Sequence, residues 1–504
     1  MDRERGPVKA EGGDLNVRIT WLKTARPVAG LAFVSLLAGC SMLPGSGGSD
    51  MPLGATVTSG VETKSSRDDI AGKKMALEPS DSSFAGAVIA DEPTAALIAR
   101  NILEKGGNAA DAATALYFAL SVTYPAAASL GGGGVCLARE GGKEPVETIS
   151  FLTRRPLEGG AVAIPGNVRG FALLQARYGS LSWSQVVSPA ERMAATGVQV
   201  SRSMAHQLAD NALMIGNSTD LRRTFTNADG AAYGELDIIT QSALAGTLAR
   251  VRNRGVNGFY EGETARILVA QSQAKGGALS ASDLANYRPD VLPAQQVAAG
   301  QLTIMLPARN LGAGAFAATL WNNIQGASGA AALTAAGERT AVSLGARAGA
   351  ALDGDYGSTS FVTVDGKGGA VACAVTMNGA FGATRVADGT GVVLAATPQA
   401  TVKGLGSAFL VPIMVVKAKS STGLYVAGAG SGAPKGGAAI EGVVAAALTG
   451  ANGAAASALA SGPADARSPA HAIICPEGLP AGVCSLNVGP RGFGVGFGAV
   501  ASGS

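Results

Sequence analysis

Two apolar stretches on either side of a short polar turn constrain the fold of this chain more than any other feature. Residues 358–364 and 370–377 are rich in β-branched and small apolar side chains, and an Asp-Gly-Lys-Gly turn centred on Lys367 joins them. This pattern predicts an antiparallel β-hairpin. Ser358 and Thr376 each lie nine residues from Lys367, so they are predicted to face each other across the hairpin.

A second polar side chain follows Thr376 at strand spacing. Asn378 lies two residues further on, so strand alternation predicts that it shares the face of Ser358 and Thr376. Two hydroxyls and an amide are therefore expected to converge at one end of the sheet. Taken alone, this group also fits a polar rim on a sheet edge.

The rest of the chain alternates short strands with helices built from small residues. A strand over 86–90 precedes two helices, and Asn108 is predicted to cap the second of them. A second hairpin is predicted over 411–429, and a helix over 438–448. These elements predict an α+β fold with four layers, helix–sheet–sheet–helix. The Ala/Gly-rich stretch 310–354 fits either loosely packed helix or an exposed linker.

The composition excludes several functions. Apolar residues make up 47% of the chain, and only two histidines occur, His206 and His471. A His-rich zinc site cannot be built from two histidines, and both are expected to be structural or to lie on the surface. The net charge is +3 without a basic, aromatic-containing run, which argues against nucleic acid as a partner. No metal or cofactor is called for.

The N-terminal residues are predicted to carry an export signal. Residues 27–39 form a short apolar run after Lys23 and Arg26, which is typical of a signal peptide. The run ends in Leu-Ala-Gly-Cys at Cys40 and resembles the bacterial lipobox, so residues 1–40 are predicted to be a lipoprotein signal peptide with Cys40 lipidated. Residues 41–83 are predicted to be a flexible tether. The expected location is the bacterial cell envelope, anchored to the outer membrane and facing the periplasm.

Four further cysteines lie in the body of the chain. Cys475 and Cys484 flank a short Pro/Gly loop, and a disulfide between them is predicted because an exported protein can keep one. Cys136 and Cys373 lie in apolar runs and are expected to be buried thiols.

Five motifs, in order, resemble those of the γ-glutamyltransferase (γ-glutamyltranspeptidase) family, a family of N-terminal-nucleophile hydrolases. They are a GGNAxDAA-like segment at 106–113, a Gly-rich turn at 129–134, a PGxVxG…YG-like segment at 165–179, Phe-Tyr-Glu-Gly at 259–262, and Asp-Leu…Tyr-Arg-Pro at 283–289. The resemblance extends over most of residues 84–440.

The resemblance implies a precursor that cleaves itself and uses the new N-terminal residue as nucleophile. The family motif TTH-aromatic-x-V-x-D corresponds to Ser-Thr-Ser-Phe-Val-Thr-Val-Asp here, which places the cut at Gly357–Ser358, with Thr359 as the alternative nucleophile. Residues 84–357 would be a large-subunit segment and 358–504 a small-subunit segment. Together they would form one folded unit, a heterodimer of the chain's own products.

The implied chemistry needs no histidine, because a free α-amine has a pKa of about 7.7–8.0 and can accept the hydroxyl proton of its own residue. Thr376 and Asn378 correspond to the family's supporting TxN pair. Gly436 and Gly437 correspond to its oxyanion Gly-Gly at a helix start, and the loop Gly430-Ser431-Gly432 is an alternative for that role.

The substrate-binding motifs depart from the family. The donor-binding Arg corresponds to Leu152, so Arg154 or Arg155 would have to replace it, and the acidic segment corresponds to 395–400 without a carboxylate. The Ser-rich segment corresponds to 408–412 and has lost its hydroxyls. Three functions therefore stay open: a hydrolase or transferase acting on γ-glutamyl amides such as glutathione, the same machinery acting on an N-acyl or peptide amide, and a catalytically silent envelope binding lipoprotein.

Overall fold

A computed structural model describes residues 84–142, 145–346, 350–398, 409–417, 423–449, 452–479 and 484–501. All of these residues belong to one compact unit. The predicted signal peptide, Cys40 and the tether over 41–83 lie outside the described residues, as do Gln399, Ala400 and Ala408.

The strands of the described residues are β1 Phe84–Ala90, β2 Gly133–Arg139, β3 Glu147–Ser150, β4 Val198–Gln199, β5 Ile238–Ile239, β6 Asp290–Pro293, β7 Gln295–Ala299, β8 Leu302–Leu306, β9 Ser358–Asp365, β10 Ala370–Thr376, β11 Val386–Ala387, β12 Val392–Val393, β13 Val411–Lys417, β14 Leu424–Gly430, β15 Ala470–Leu479, β16 Ser485–Val488 and β17 Val495–Val500.

The helices are α1 Pro93–Glu104, α2 Ala109–Thr123, α3 Pro125–Ala128, α4 Asn167–Tyr178, α5 Trp183–Thr196, α6 Arg202–Asp210, α7 Ala212–Asn217, α8 Thr219–Phe225, α9 Ser242–Arg254, α10 Asn257–Tyr260, α11 Gly262–Ala274, α12 Ala281–Asn286, α13 Gly312–Asn323, α14 Gly329–Ser343, α15 Pro434–Leu448 and α16 Asn452–Ser461, with one 3₁₀ turn at Ala350–Asp353.

Two antiparallel sheets form the centre of the described chain. The first has the order β17-β1-β9-β10-β2-β3-β6 and the second the order β16-β15-β14-β13-β8-β7. One apolar core lies between the sheets, and each outer face carries its own core against helices, α2 and α4 among those on the first sheet and α13–α16 on the second. The predicted helix–sheet–sheet–helix fold is therefore confirmed.

The hairpin predicted over residues 358–377 is β9–β10. Its register pairs Ser358 with Thr376 and Ala370 with Val364, because the turn is short enough to leave one compatible pairing. The face that carries Ser358 looks toward the second sheet, since Ser360 donates a hydrogen bond to the Ala429 carbonyl of β14 at 3.2 Å.

Local sequence signals account for the helices around this hairpin. The Asn108 side chain accepts from the backbone of Asp111 and the Asp111 side chain accepts from the backbone of Asn108, which is the predicted capping box of α2. The Ala/Gly-rich stretch is helical over α13 and α14, so the linker alternative for that stretch is wrong. Small side chains allow these helices to pack closely on the second sheet.

Candidate active site

Ser358 begins β9 at one end of the first sheet. The residue is 7% exposed, and its Oγ is buried without a hydrogen-bond partner among the described residues. Its cross-strand neighbour is Thr376, and Thr376 in turn pairs with Gly133 of β2. A hydroxyl nucleophile needs an unengaged oxygen beside an electrophile, and Ser358 meets the first of these conditions.

The peptide bond before Ser358 is held in an unusual conformation. Gly357 has φ +54°, and a Cβ at this position would lie 2.0 Å from the Gly379 carbonyl oxygen, so only glycine fits. The Gly357 carbonyl oxygen accepts from the Met377 N–H at 2.8 Å, and the Gly357 N–H donates to Asp355 Oδ1 at 2.8 Å. A backbone donor therefore already polarises the carbonyl next to Ser358. Sequence reasoning missed Met377, whose N–H carries no side-chain signal.

Thr376 and Asn378 hold the residues around this peptide bond. Thr376 Oγ1 donates to the Tyr356 carbonyl oxygen at 3.0 Å and accepts from the Asn378 N–H at 2.9 Å. The Asn378 amide donates to Thr153 Oγ1 at 2.8 Å and to the Ala396 carbonyl oxygen at 2.7 Å. Asn378 lies past the end of β10 with φ +60°, so its position depends on these bonds and not on the strand alternation used to predict it.

Thr359 points in the opposite direction from Ser358. Its hydroxyl donates to one carboxylate oxygen of Asp91, and the other oxygen contacts His471 Nε2 at 2.8 Å. All three side chains are buried. The Thr359 hydroxyl is thus committed to a structural network, and His471 is a buried structural residue, as expected.

A small polar cleft, with a cavity volume of about 20 Å³, lies beside Ser358. Arg467 Nη2 lies 3.3 Å from Asp210 Oδ2, and His206 Nδ1 lies 3.6 Å from the same oxygen. Desolvation raises the pKa of the Asp355 carboxyl although part of its side chain stays exposed; the Gly357 N–H and the Arg467 charge act in the opposite direction. No sequence motif indicated this cleft, since its residues come from segments far apart in the chain.

The two predicted oxyanion glycines, Gly436 and Gly437, lie in the first turn of α15. The Gly436 N–H donates to the Ala433 carbonyl oxygen at 2.9 Å, and a Cβ at Gly437 would contact Phe316 and Val411 in the outer core of the second sheet. Neither glycine is among the residues that line the cleft at Ser358. Gly436 is therefore not a free oxyanion donor here, because the first turn of α15 uses its N–H.

The alternative oxyanion loop is also engaged in structural contacts. The Ser431 N–H donates to the Pro469 carbonyl oxygen at 3.1 Å. Gly432 has φ +93° and approaches the backbone of Arg467 and Ser468. The loop supports the wall that carries Arg467.

The two arginines predicted to replace the donor-binding Arg lie outside the cleft. Arg154 forms an ion pair with Asp290 at 3.0 Å and donates to the Arg288 carbonyl oxygen at 2.9 Å. Arg155 is exposed. The structure thus does not bring either guanidinium to Ser358, because the ion pair with β6 turns Arg154 outward.

Two disulfides connect the four cysteines of the described chain. Cys475 is bonded to Cys484 across the short loop, and Cys136 is bonded to Cys373. The expectation of buried thiols at Cys136 and Cys373 is therefore wrong. The two residues are direct neighbours on β2 and β10, with their Cα atoms 4.1 Å apart, a contact that spacing in the sequence does not reveal.

The sequence profile described as "Gamma-glutamyltranspeptidase" matches residues 95–158 and 153–325 of this chain. Residues 95–325 are thus similar to the γ-glutamyltranspeptidase family. Relatives of this chain include Scoloptoxin SSD14 of Scolopendra dehaani, 31% identical over 44% of this chain and 42% of that protein. The glutathione hydrolase proenzyme of Pseudomonas aeruginosa is 32% identical over 40% of this chain and 39% of that protein. The chain thus matches about two fifths of the length of these relatives.

Solved structures extend the comparison over most of the chain at the level of the fold. A cephalosporin acylase from Bacillus halodurans superimposes with a TM-score of 0.68 and 19% identity, covering 85% of this chain and 98% of that one. Identity this low shows the shared fold alone. Within the described residues, no group of His, Cys, Asp and Glu is arranged to hold a metal ion, and no helix is long and apolar enough to cross a membrane.

Proposed function

We propose that this chain is an enzyme precursor that cleaves its own Gly357–Ser358 bond and then uses Ser358 as an N-terminal nucleophile on amide substrates. The observation that carries the proposal is the unpartnered Ser358 Oγ beside a carbonyl that Met377 already polarises. Thr359 is not chosen as the nucleophile, because its hydroxyl donates to Asp91. Two curated relatives named as proenzymes add support.

The cleavage proceeds as an acyl shift followed by hydrolysis. Ser358 Oγ attacks the Gly357 carbonyl carbon, and the Met377 N–H stabilises the negative charge that develops on the carbonyl oxygen. The C–N bond then breaks, the hydroxyl proton passes to the leaving nitrogen, and Gly357 is left as an ester on Ser358 Oγ. Water hydrolyses this ester, giving a Gly357 carboxylate, the Ser358 hydroxyl and a free α-amine.

The mature site uses that amine as its base. At neutral pH a fraction of the amine is unprotonated, because its ordinary pKa is about 7.7–8.0, and it accepts the Ser358 hydroxyl proton during attack on the donor amide. The amine of the leaving group departs and an acyl-enzyme remains. Water completes hydrolysis, or an acceptor amine completes transfer.

The first substrate class to test is a γ-glutamyl amide of the glutathione type, because several relatives are named glutathione hydrolases. A second candidate is another N-acyl or peptide amide, favoured by Leu152 and by the outward position of Arg154. A catalytically silent envelope lipoprotein is the third candidate, and it predicts an uncut chain. The partner of the large-subunit segment would be the small-subunit segment, in a heterodimer of products.

We also propose an envelope location with a lipid anchor at Cys40. Two disulfides in the described chain fit an oxidising compartment. Labelling of the expressed protein with a radioactive fatty acid, compared with Cys40→Ser, tests the anchor; equal labelling of the two proteins would overturn it.

The deciding experiment measures the intact mass and N-terminal sequence of the purified protein. An assay for release of p-nitroaniline from γ-glutamyl-p-nitroanilide follows. Wild type and Thr359→Val are expected to yield a fragment beginning at Ser358, and Ser358→Ala is expected to stay uncut. Ser358→Thr keeps a hydroxyl and is expected to cleave. A wild-type chain without a fragment beginning at Ser358 would overturn the proposal.

A further inference from the structure

The segment just before the cut marks the acyl side of the site. In the proposed cleavage the Gly357 carbonyl is the first acyl group that Ser358 attacks. The residues on the N-terminal side of that carbonyl therefore stand where the acyl half of a later donor has to stand. The side chains that surround these residues therefore indicate which acyl groups the site accepts.

The Tyr356 ring lies in an apolar cluster, here named the acyl pocket. Its members are Val135, Ala313, Ala374 and Leu410, all buried, with the half-buried Leu152 and Leu311. The Tyr356 ring also meets Phe409 edge-on, with the ring centroids 5.5 Å apart.

The acyl pocket adjoins Ser358 on the same face of the first sheet. Ala374 pairs with Ser360 on one side and with Val135 on the other. Paired residues share a face, and so do residues two apart on one strand. The row Ser360–Ala374–Val135 therefore runs beside the row that begins with Ser358.

The backbone of Tyr356 fixes its ring in this position. Its carbonyl oxygen accepts from Thr376 Oγ1 at 3.0 Å and from the Gly379 N–H at 2.8 Å. These two hydrogen bonds hold the backbone from which the Tyr356 side chain enters the acyl pocket. The proposed cleavage after Gly357 would create a new chain end one residue away from Tyr356.

All six members of the acyl pocket are apolar, so a charged acyl group would lose its hydration there without gaining a partner. Arg154 is paired with Asp290, and Arg467 is paired with Asp210 in the polar cleft. An aromatic or alkyl acyl group of about the size of the Tyr356 ring would instead replace the contacts that Tyr356 makes.

We propose that the acyl pocket receives an apolar acyl group, such as an arylacetyl or medium-chain alkanoyl group, and that Tyr356 fills it until the chain is cut. This assignment rests on the proposed role of Ser358 and narrows its substrate class. Leu152 is the specificity-determining residue on the rim of the pocket.

The kinetic test compares the p-nitroanilides of phenylacetate, hexanoate, glutarate and γ-glutamate with the full mature protein. The phenylacetyl or hexanoyl donor is expected to exceed both charged donors at least 10-fold in kcat/KM. Leu152→Arg places a cation at the pocket. It is expected to lower kcat/KM for the apolar donors about 10- to 100-fold without lowering kcat/KM for the glutaryl donor. Leu157→Arg is the matched control, since Leu157 is 87% exposed. It is expected to leave kcat/KM for all four donors unchanged.

The opposite ranking would overturn the proposal. If the glutaryl or γ-glutamyl donor is preferred and Arg467→Gln removes that preference, the acyl group is recognised by the polar cleft instead. An apolar preference that Leu152→Arg leaves intact would also contradict the assignment of the pocket.

A binding test separates this inference from the proposed reaction. In the uncut Ser358→Ala chain, phenylacetamide is expected to leave the Tm unchanged, because Tyr356 fills the pocket. In Ser358→Ala/Tyr356→Ala it is expected to raise the Tm, and addition of Leu152→Arg is expected to abolish the rise. An equal rise with and without Tyr356, or no rise in the double variant, would refute the pocket. Absence of turnover and of cleavage would refute only the proposed function.

Discussion

Ser358 at the start of β9 lies directly opposite Thr376 at the end of β10. The pairing places the Thr376 hydroxyl where it binds the carbonyl oxygen of Tyr356, two residues before Ser358. One cross-strand pair therefore connects the nucleophile to the segment from which the proposed reaction separates it. The same geometry makes the contribution of each residue measurable.

Thr376→Val keeps the shape of the side chain and removes its hydroxyl. The Tyr356 carbonyl oxygen loses a donor and the Asn378 N–H loses an acceptor. We expect self-cleavage to slow about 5- to 100-fold, the range for hydrogen bonds worth about 1–3 kcal/mol. A time course of intact mass after rapid purification measures this rate. Thr376→Ser retains the hydroxyl and is expected to keep most of the wild-type cleavage rate. An equal loss of rate in both variants would contradict a hydrogen-bonding role.

Gly357→Ala tests the backbone conformation next to the cut. The added Cβ would lie 2.0 Å from the Gly379 carbonyl oxygen, at φ +54°, so the peptide bond has to move away from Met377. We expect cleavage to slow at least 10-fold while the chain stays folded by circular dichroism. Gly300→Ala is the control, because Gly300 also has a positive φ, +63°, but open space around its Cβ. Normal cleavage of Gly357→Ala would show that the left-handed conformation is not needed.

The Cys136–Cys373 disulfide joins the two segments on either side of the proposed cut. Cys136 lies in the large-subunit segment and Cys373 in the small-subunit segment. A non-reducing gel is therefore expected to show the cleaved protein as a single species, and a reducing gel to show two fragments. Cys136→Ser/Cys373→Ser is expected to give two fragments without reductant. Cys475→Ser/Cys484→Ser removes a disulfide within one segment and should still give one species; two fragments there would contradict the assignment.

Glu441 on α15 tests how far an unpartnered buried carboxyl group lowers the free energy of unfolding. Both of its carboxylate oxygens are buried without a partner among the described residues, and desolvation raises its pKa well above the ordinary value of 4.5. The folded protein therefore holds this proton more tightly than the unfolded chain does. The stability contributed by protonation is complete below about pH 4.5 and is lost as the pH rises through the folded pKa.

Glu441→Met removes this pH dependence. At pH 8 we expect the variant to be more stable than wild type by about 1–4 kcal/mol, with a smaller difference at pH 5, measured by denaturant unfolding at both values. Glu338→Met on the exposed face of α14 should change stability by no more than about 0.5 kcal/mol. A gain at Glu441 that is equal at both pH values would rule out ionisation as its cause.

The sequence predicted those features that depend on neighbours along the chain. The short turn at Lys367 determined the partner of Ser358, and Asn108 and Asp111 determined the start of α2. Such contacts follow from turn geometry and capping, whose physical range is a few residues. The layered fold followed from the same local signals once they were taken together.

The features that could not be predicted depend on contacts between distant segments. Cys136 and Cys373 are 237 residues apart, and no spacing rule connects them. The motif match gave the position of Gly436 along the chain, but the Gly436 N–H donates to the Ala433 carbonyl oxygen. Arg154 was expected near the substrate, yet Asp290 on another strand draws it outward. Arg467 belongs to no motif, and only the folded chain brings it to the cleft beside Ser358.

The strand order of the first sheet bears on how the chain would refold after the proposed cut. β1 of the large-subunit segment lies between β17 and β9 of the small-subunit segment, so neither segment contains a complete sheet. The uncut chain closes this sheet with its strands in one continuous chain, whereas the two products of the proposed cut, joined by the Cys136–Cys373 disulfide, would have to pair their strands again in the correct register. A chain cut as proposed would depend on how slowly it unfolds and not on an equilibrium that it can re-enter. Its working lifetime is then a kinetic property, decided when the peptide bond breaks.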